Sequence, residues 1–80
     1  MLKVQIYPQP ARHIINVKLL AKVLKHGSRA ILLGKSGEQL RTFPLIQGTN
    51  ELSITGFEPG QYTIRVEAGN EVIVKQIHLD

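Results

Sequence analysis

The sequence contains no cysteine and no tryptophan, and only two tyrosines and two phenylalanines occur among its 80 residues. Without cysteine, no disulfide stabilises the fold, and neither a cysteine-ligated metal site nor a thiol nucleophile is possible. The scarcity of aromatic side chains argues against a protein that binds nucleic acid by stacking bases on an exposed surface. It also argues against a carbohydrate-binding face, since such faces usually present exposed aromatic rings.

Acidic residues are few, and long apolar runs are absent. Six Asp and Glu against ten Lys and Arg give a formal net charge of +4, which is basic but not extreme. Nucleic-acid binding would need these charges on one face together with aromatic rings, so we expect no nucleic-acid partner. The longest apolar run is broken by Lys18 and Lys22, and we expect neither a secretory signal nor a membrane-spanning segment here. If the protein is exported, its inner-membrane signal is expected to belong to a longer precursor.

Residues capable of chemistry are present but scattered. His13, His26 and His78 fall at a predicted strand start, in a loop and in the last strand, with no spacing that would let two of them bind one metal. The carboxylates occur singly at turns and strand ends, so no acid–base pair is visible. Residues 34–37, Gly-Lys-Ser-Gly, lack the upstream glycine and the following helix of a phosphate-binding loop and are interpreted as a hairpin turn. We therefore predict no enzymatic activity, no cofactor and no metal site.

The last third of the chain, Gly60 to Leu79, predicts two strands joined by a tight turn. In the first strand, Tyr62, Ile64 and Val66 alternate with polar residues, which is the pattern of a half-buried strand. The segment 68–70, Ala-Gly-Asn, supplies the turn. We therefore predict that a β-hairpin closes the chain.

The second strand of this hairpin does not alternate cleanly. Its apolar residues fall on both parities, with Val72 and Val74 on one and Ile73, Ile77 and Leu79 on the other. One interpretation is that both faces of the strand are covered. We favour another, in which a β-bulge near Lys75 and Gln76 resets the register. The bulge would turn four side chains inward, those of Val72, Val74, Ile77 and Leu79.

Prolines, glycines and alternating apolar residues predict five more strands upstream, at residues 3–7, 13–20, 28–33, 38–43 and 50–54. The second of these also fits a basic amphipathic helix closed by Gly27, which would indicate a membrane surface or an acidic partner. We favour the strand, followed by a loop over 21–27, because Ile14, Ile15 and Val17 are β-branched.

The remaining strands complete an all-β architecture. Consecutive apolar residues in 28–33 predict a central strand covered on both faces. Two inward side chains, Leu52 and Ile54, are expected from the strand at 50–54. Seven short strands separated by turns predict an antiparallel two-sheet immunoglobulin-like β-sandwich, with residues 1–80 forming a single module.

Several motifs follow one another along the chain: Tyr7-Pro8-Gln9-Pro10-Ala11, Ser36-Gly37 with Leu40, Phe57 with Pro59-Gly60 ahead of Tyr62, and Gly69, Asn70 and Lys75 near the end. In this order they resemble the motifs of the C-terminal sorting domain of cargo proteins exported by the bacterial type IX secretion system. Two positions depart from the family pattern. Gln9 stands where Asn is usual, which weakens an Asx-type turn bond, and Leu33-Gly34 replaces a Tyr-Asp-like pair, which puts a side-chain bond across that turn in doubt.

The resemblance implies a secretion signal that directs a cargo protein through the type IX outer-membrane translocon. A sortase-like peptidase would then remove it before Lys3 and attach the cargo at the cell surface or release it. The implied partners are the translocon, its outer-membrane shuttle and sortase components, and a cargo domain preceding this chain. The implied route passes through the periplasm to the cell surface or the extracellular space. Edge strands also leave a homodimer open, and the alternative function is an accessory immunoglobulin-like or carbohydrate-binding spacer module.

The resemblance also assigns recognition residues: Pro8, Pro10, Gly60, Tyr62, Gly69, Asn70 and Lys75. For Gly60 and Tyr62 we favour a structural role, with Tyr62 packed inward and its hydroxyl bonded near a strand corner. Lys75 fits two compatible roles, protection of an edge strand from indiscriminate pairing and a charge read by the export machinery. Our hypothesis is that the machinery adds a strand to the edge near Glu71 to Leu79, with Lys75 and Arg65 giving charge complementarity.

Overall fold

Seven antiparallel β-strands in two sheets make up the computed structural model, which describes residues 2–8, 10–20 and 28–80. The strands are β1 (Val4–Tyr7), β2 (Ile14–Leu19), β3 (Arg29–Leu33), β4 (Gln39–Pro44), β5 (Gly48–Ser53), β6 (Gly60–Ala68) and β7 (Glu71–Leu79). A three-stranded sheet has the order β1-β2-β5, and a four-stranded sheet has the order β4-β3-β6-β7. The predicted all-β, two-sheet sandwich is confirmed. Within the described ranges, no helix has the length and hydrophobicity needed to cross a membrane.

The core lies between the sheets and is built from alternate residues of each strand. In β2, Ile15, Val17 and Leu19 are buried, as the predicted strand requires. The competing helix is therefore wrong for the residues up to Leu20, whereas the predicted loop over 21–27 lies outside the described residues. Each large aliphatic side chain buried in this way stabilises the fold by about 1.5–3 kcal/mol relative to its exposure. The other buried aliphatic strand residues are Ala30, Ile31, Leu32, Leu52, Ile64, Val66, Ala68, Ile77 and Leu79.

Strand β3 is covered on both faces, as its consecutive apolar residues predicted. Ala30 and Leu32 point into the core, whereas Ile31 lies on the outer face and is still only 2% exposed. Its neighbours on that face are Thr42 of β4 and Arg65 of β6, which pair with it on either side. Because β3 is flanked on both sides, the side chains of adjacent strands cover Ile31 without a further layer of structure.

The bulge predicted near Lys75 and Gln76 in strand β7 is wrong. Its pairing with β6 runs without interruption from Gly60 opposite Leu79 to Ala68 opposite Glu71. Ile73, Ile77 and Leu79 therefore face inward, and Val72 and Val74 face solvent with 49% and 58% exposure. A bulge would have disrupted the hydrogen-bonded ladder, whereas exposure of two valines is ordinary on a protein surface. The irregularity in this sheet lies instead between Leu32 and Leu33, where β3 pairs with β4.

Between β1 and β2, which are neighbours in the three-stranded sheet, the chain contacts the last strand of the four-stranded sheet. The strand ends at Tyr7, as the prolines predicted, and the Tyr7–Pro8 peptide bond is cis. Beyond Pro10, Ala11 is fully buried and pairs in parallel with Leu79. Its amide donates to the carbonyl oxygen of His78 at 2.9 Å, and its carbonyl accepts from the amide of Asp80 at 2.8 Å. The segment after the first strand thus covers the far end of the last one.

Candidate recognition surface

The predicted recognition residues lie in three separate places. Gly60 pairs with Leu79 at the end of the hairpin that Ala11 covers, and this is also the end reached by the exposed Pro8 and Pro10. The turn at 69–70 lies at the opposite end, roughly 25 Å away along a nine-residue strand. Lys75 lies between the two ends, opposite Ile64. The fold therefore places these residues along one hairpin without bringing them into a single cluster.

Tyr62 forms a strand corner near the start of β6. Its hydroxyl donates a hydrogen bond to the carbonyl oxygen of Glu58 at 2.6 Å. The ring is partly buried against the core and meets Phe57 edge to face, with a centroid separation of 6.2 Å and an interplanar angle of 64°. A tyrosine bonded to the backbone a few residues upstream is a hallmark of immunoglobulin-like sandwiches. The packing predicted for Tyr62 is confirmed, and Gly60 allows the bend before it with a φ of 148°.

The two hairpin turns show why glycine is needed at particular positions. Gly69 has a φ of 61° at the first position of the two-residue β6–β7 turn, as in a type II′ turn. In the β3–β4 turn, Gly37 has a φ of 83° and its amide donates to the carbonyl of Gly34 at 3.0 Å. The hairpin interpretation of residues 34–37 is confirmed.

The departure at Leu33-Gly34 is compensated within the same turn. The Glu38 carboxylate accepts a hydrogen bond from the amide of Ser36 at 3.1 Å. A Cβ atom at position 34 would collide with this carboxylate, so glycine there leaves room for it. A side-chain bond across the turn is therefore present, supplied by a residue that the family pattern did not indicate. Gln9, the other departure, lies outside the described residues.

Arg41 closes the side of the sandwich between β4 and β5. It lies opposite the inward-facing Leu32, and its guanidinium carbon is 4.6 Å from the centroid of the Phe57 ring. Its Nη1 also donates to the carbonyl oxygen of Ser53 at 3.3 Å, which joins β4 to the end of β5. A cation over an aromatic face is attractive because of the ring quadrupole. The sequence carried no signal for this contact, because the two sheets meet only in the folded structure.

Asn50 is a buried polar residue that sequence reasoning missed. It is 8% exposed, and its side-chain oxygen accepts from the amide of Ile46 at 2.8 Å. Its side-chain nitrogen lies within bonding distance of three carbonyl oxygens, those of Ile46 at 2.9 Å, Val17 at 3.2 Å and Gly48 at 3.3 Å. These bonds hold the loop before β5 against β2. A buried polar group needs such partners, but they cannot be read from the chain.

The opposite side of the sandwich, between β1 and β7, is open along its middle, because the Leu2 amide donates to the Glu71 carboxylate at 3.0 Å at one end and Ala11 pairs with Leu79 at the other. A cleft of about 560 Å³ separates the two edge strands, and we call it the β1/β7 seam. It is lined by Val4, Gln5, Ile6, Tyr7, Lys75 and Gln76. Lys75 shares the inward parity of Ile73 and Ile77, yet it is exposed because it lies at the sheet edge. No ion pair or hydrogen bond joins its ammonium group to any described residue. The seam is also free of acidic side chains within its described lining.

The outer edge of β7 presents unpaired backbone groups to the same opening. His78 and Asp80 use their outward groups to bond Ala11. Since successive strand residues point their backbone groups to opposite sides, Val72, Val74 and Gln76 point theirs outward as well. No backbone hydrogen bond from another described residue reaches these three on that side. The free edge thus spans residues 72–76.

Arg65 lies on the other face of the sheet and is already engaged. It pairs with the outward-facing Val74, and its Nε is 3.0 Å from a carboxylate oxygen of Glu67. The Nε of Arg29 donates to the other oxygen of the same carboxylate at 2.7 Å. The hydrogen bond from Arg29 is the main cause that holds the pKa of Glu67 below its ordinary value, and the charges of both arginines add to it. Arg65 and Lys75 therefore lie on opposite faces of the sheet, and their charge complementarity to the export machinery stays a prediction.

The described residues show no arrangement suited to metal binding. No group of three or more His, Cys, Asp and Glu side chains comes together in ranges 2–8, 10–20 and 28–80. His26 falls outside these ranges. Among the aromatic side chains, Phe43, Phe57 and Tyr62 pack against the core, and Tyr7 is 41% exposed. This distribution offers no stacked platform for bases or sugars.

A comparison with protein families decides the identity of the module. The model of a family described as the secretion system C-terminal sorting domain matches residues 5–80. The chain belongs to this family. The sorting domain is a C-terminal secretion signal for type IX secretion, and it engages the machinery of that system. Its cargo is delivered to the cell surface or the extracellular space, and the family acts as a sorting signal and not as a catalyst. No curated protein matches the sequence.

Proposed function

We propose that the type IX machinery recognises the folded sorting domain at its last hairpin, with the free edge of β7 and Lys75 as the point of contact. The observation that carries this proposal is the open β1/β7 seam, where Lys75 has no described partner and residues 72–76 have unpaired outward backbone groups. Edge strands of this kind accept an added strand from a partner. Residues 1–80 act as one module in this proposal, and the module has no catalytic role.

The other recognition residues act through the fold. Tyr62 and Gly60 shape the corner that starts β6, and Gly69 and Asn70 form the turn that starts β7. Pro8 and Pro10 come just before Ala11, which pairs with the end of β7. Each of them positions the last strand, and none lines the seam beside Lys75. Changes at these positions are therefore expected to affect export only as far as they destabilise the fold.

The sorting domain meets its partners one after another during export. After passage of the precursor through the periplasm, translocon and shuttle components bind the last hairpin. A sortase-like peptidase then cleaves before Lys3 and either attaches the cargo at the cell surface or releases it.

Export of a fluorescent cargo tests this proposal. The cargo carries an inner-membrane signal and is fused ahead of residues 1–80, in a host with the type IX translocon and in the same host without it. Lys75→Glu should sharply reduce translocon-dependent export, and Lys35→Glu, which changes the charge equally at the exposed β3–β4 turn, should not. Removal of residues 71–80 should abolish export, although it also removes β7 from the core.

Folding must be measured alongside export. Thermal unfolding of each purified variant separates a lost contact from a lost fold. Normal export of the folded Lys75→Glu variant would overturn the proposed role of Lys75. Retention of the wild-type fusion in the periplasm of both hosts would instead favour a spacer or ligand-binding module.

A further inference from the structure

The two sides of the sandwich, where the edge strands of the two sheets face each other, differ in how they are filled. Between β4 and β5, the inward cation Arg41 bonds to the Ser53 carbonyl and lies over Phe57, so this side is closed from within. Between β1 and β7, the inward cation Lys75 faces a cleft of about 560 Å³ and has no described partner. A cation on the core-facing side of an edge strand deters strands that would place apolar side chains beside it. The same cation favours a strand that brings a carboxylate to that position.

The edge of β7 already accepts an added segment at one end. Ala11 bonds to the outward backbone groups of His78 and Asp80 and is fully buried there. The same row of outward groups continues through Gln76, Val74 and Val72, where no described residue covers it. A strand placed on this row would extend the four-stranded sheet and fill the opening beside β1.

Side-chain alternation determines the chemistry of such a strand. Residues of an added strand that lie opposite Lys75 share its face and point into the β1/β7 seam. Residues on the other parity share the face of Val72 and Val74, which are 49% and 58% exposed. From this geometry we infer that the seam takes an extended segment of a partner protein that alternates apolar residues on the outer face with a carboxylate directed at Lys75. This inference rests on the proposed function and specifies the chemistry of the partner at the same surface.

A second copy of the chain fits this surface less well. Antiparallel pairing of two β7 edges about a two-fold axis places both Lys75 side chains on the same face and close together. Like charges in that arrangement repel. The domain alone is therefore expected to be a monomer, and a carboxylate-bearing segment from another protein is the occupant that matches the charge.

Peptide binding to the purified 80-residue chain tests the inference. The probes are three labelled nine-residue peptides with blocked ends, in which valine alternates with glutamate, glutamine or lysine. The glutamate peptide should bind at least about tenfold more tightly than the glutamine peptide, and its affinity should fall as salt is raised. Amide chemical shifts in NMR spectra should change at Val72, Val74 and Gln76.

Charge reversal supplies the decisive comparison. Lys75→Glu should prefer the lysine peptide to the glutamate peptide, and Lys75→Gln should bind the glutamate and glutamine peptides alike. Lys35→Glu is the matched control and should behave as the wild type. Equal binding of the glutamate peptide by Lys75→Glu and the wild type would overturn the inference. So would shift changes confined to β4 or β5, or a dimer of the free domain held through β7.

The export and peptide experiments can fail independently. Reduced export of folded Lys75→Glu without selective binding of the glutamate peptide would leave the proposed function standing and remove the inferred partner chemistry. Selective, charge-reversible peptide binding combined with normal export of Lys75→Glu would do the opposite. It would establish the acceptor site and show that export does not depend on it.

Discussion

Ala11 pairs in parallel with Leu79, so that the segment leaving the first strand is joined to the end of the last one. Both residues are buried, with 0% and 2% exposure, and their pairing ties the β1–β2 connection of the three-stranded sheet to the last strand of the four-stranded sheet. The hairpin that carries the recognition surface is therefore held in place by residues from the opposite end of the sequence.

Enlarging Ala11 should destabilise the domain. Ala11→Leu inserts three extra carbon atoms into a fully packed position and is expected to lower the free energy of unfolding by about 1–3 kcal/mol. Urea denaturation followed by circular dichroism measures the change. Arg12→Leu introduces the same side chain at an exposed neighbouring position and should have little effect. Equal stability of the two variants would show that the position after Pro10 tolerates repacking and does not anchor β7.

The Tyr62 hydroxyl should contribute measurably to stability. Tyr62→Phe removes the 2.6 Å bond to the Glu58 carbonyl and keeps the ring against Phe57. A loss of about 0.5–1.5 kcal/mol in the free energy of unfolding is expected. Tyr7→Phe removes a hydroxyl from an exposed ring and should stay within about 0.5 kcal/mol of the wild type. If the two substitutions cost the same, the strand corner does not depend on its hydrogen bond.

Asn50 should be the most sensitive polar residue of the three-stranded sheet. Asn50→Ala leaves the amide of Ile46 and nearby carbonyl groups without their partner in a largely buried site. We expect a cost of about 2–3 kcal/mol and faster hydrogen exchange in the loop before β5. Asn16→Ala removes only a 3.4 Å bond to the Tyr7 carbonyl and serves as the control. Unchanged exchange in that loop would contradict the role assigned to Asn50.

Glu67 should make part of the stability depend on acid pH. Its pKa is lowered in the folded state, mainly by the hydrogen bond from Arg29, so the folded protein favours the charged carboxylate. This contribution is complete above the ordinary value of 4.5 and is lost as the pH falls through the lower folded-state pKa.

Unfolding midpoints measured between about pH 7 and pH 3 test this prediction. Glu67→Gln should be less stable than the wild type at neutral pH, and the difference should shrink below about pH 4.5. Glu51→Gln, at an exposed position of β5, corrects for the loss of one negative charge. A difference that does not change with pH would mean that the contacts with Arg29 and Arg65 are not formed in solution.

Much of the fold was predictable because strand periodicity and turn residues are local. The alternation in 13–20 correctly separated buried Ile15, Val17 and Leu19 from their polar neighbours. Gly69 marked the last turn, and Tyr62 was correctly predicted to bond near a strand corner. These features depend on residues a few positions apart, for which sequence spacing is an adequate guide.

Which side chains of β7 face the core was not predictable in the same way. Val72 and Val74 suggested inward packing and a bulge, yet they face solvent beside an inward Lys75. The outcome depended on β7 being an edge strand with a regular ladder to β6, where one valine row can remain exposed at little cost. Apolar content alone cannot reveal which face of an edge strand is covered.

By itself, the sequence determined the class of fold, the number of strands and their approximate positions along the chain, and the family of sorting signals to which the chain belongs. These follow from hydrophobic period, turn chemistry and motifs read along one dimension. Only the tertiary structure decided that Arg41 closes one side of the sandwich while Lys75 faces an open seam on the other, and that Arg65 points away from it. The physical reason is that each of these contacts or gaps lies between strands distant in sequence, so its geometry exists only once the two sheets have packed.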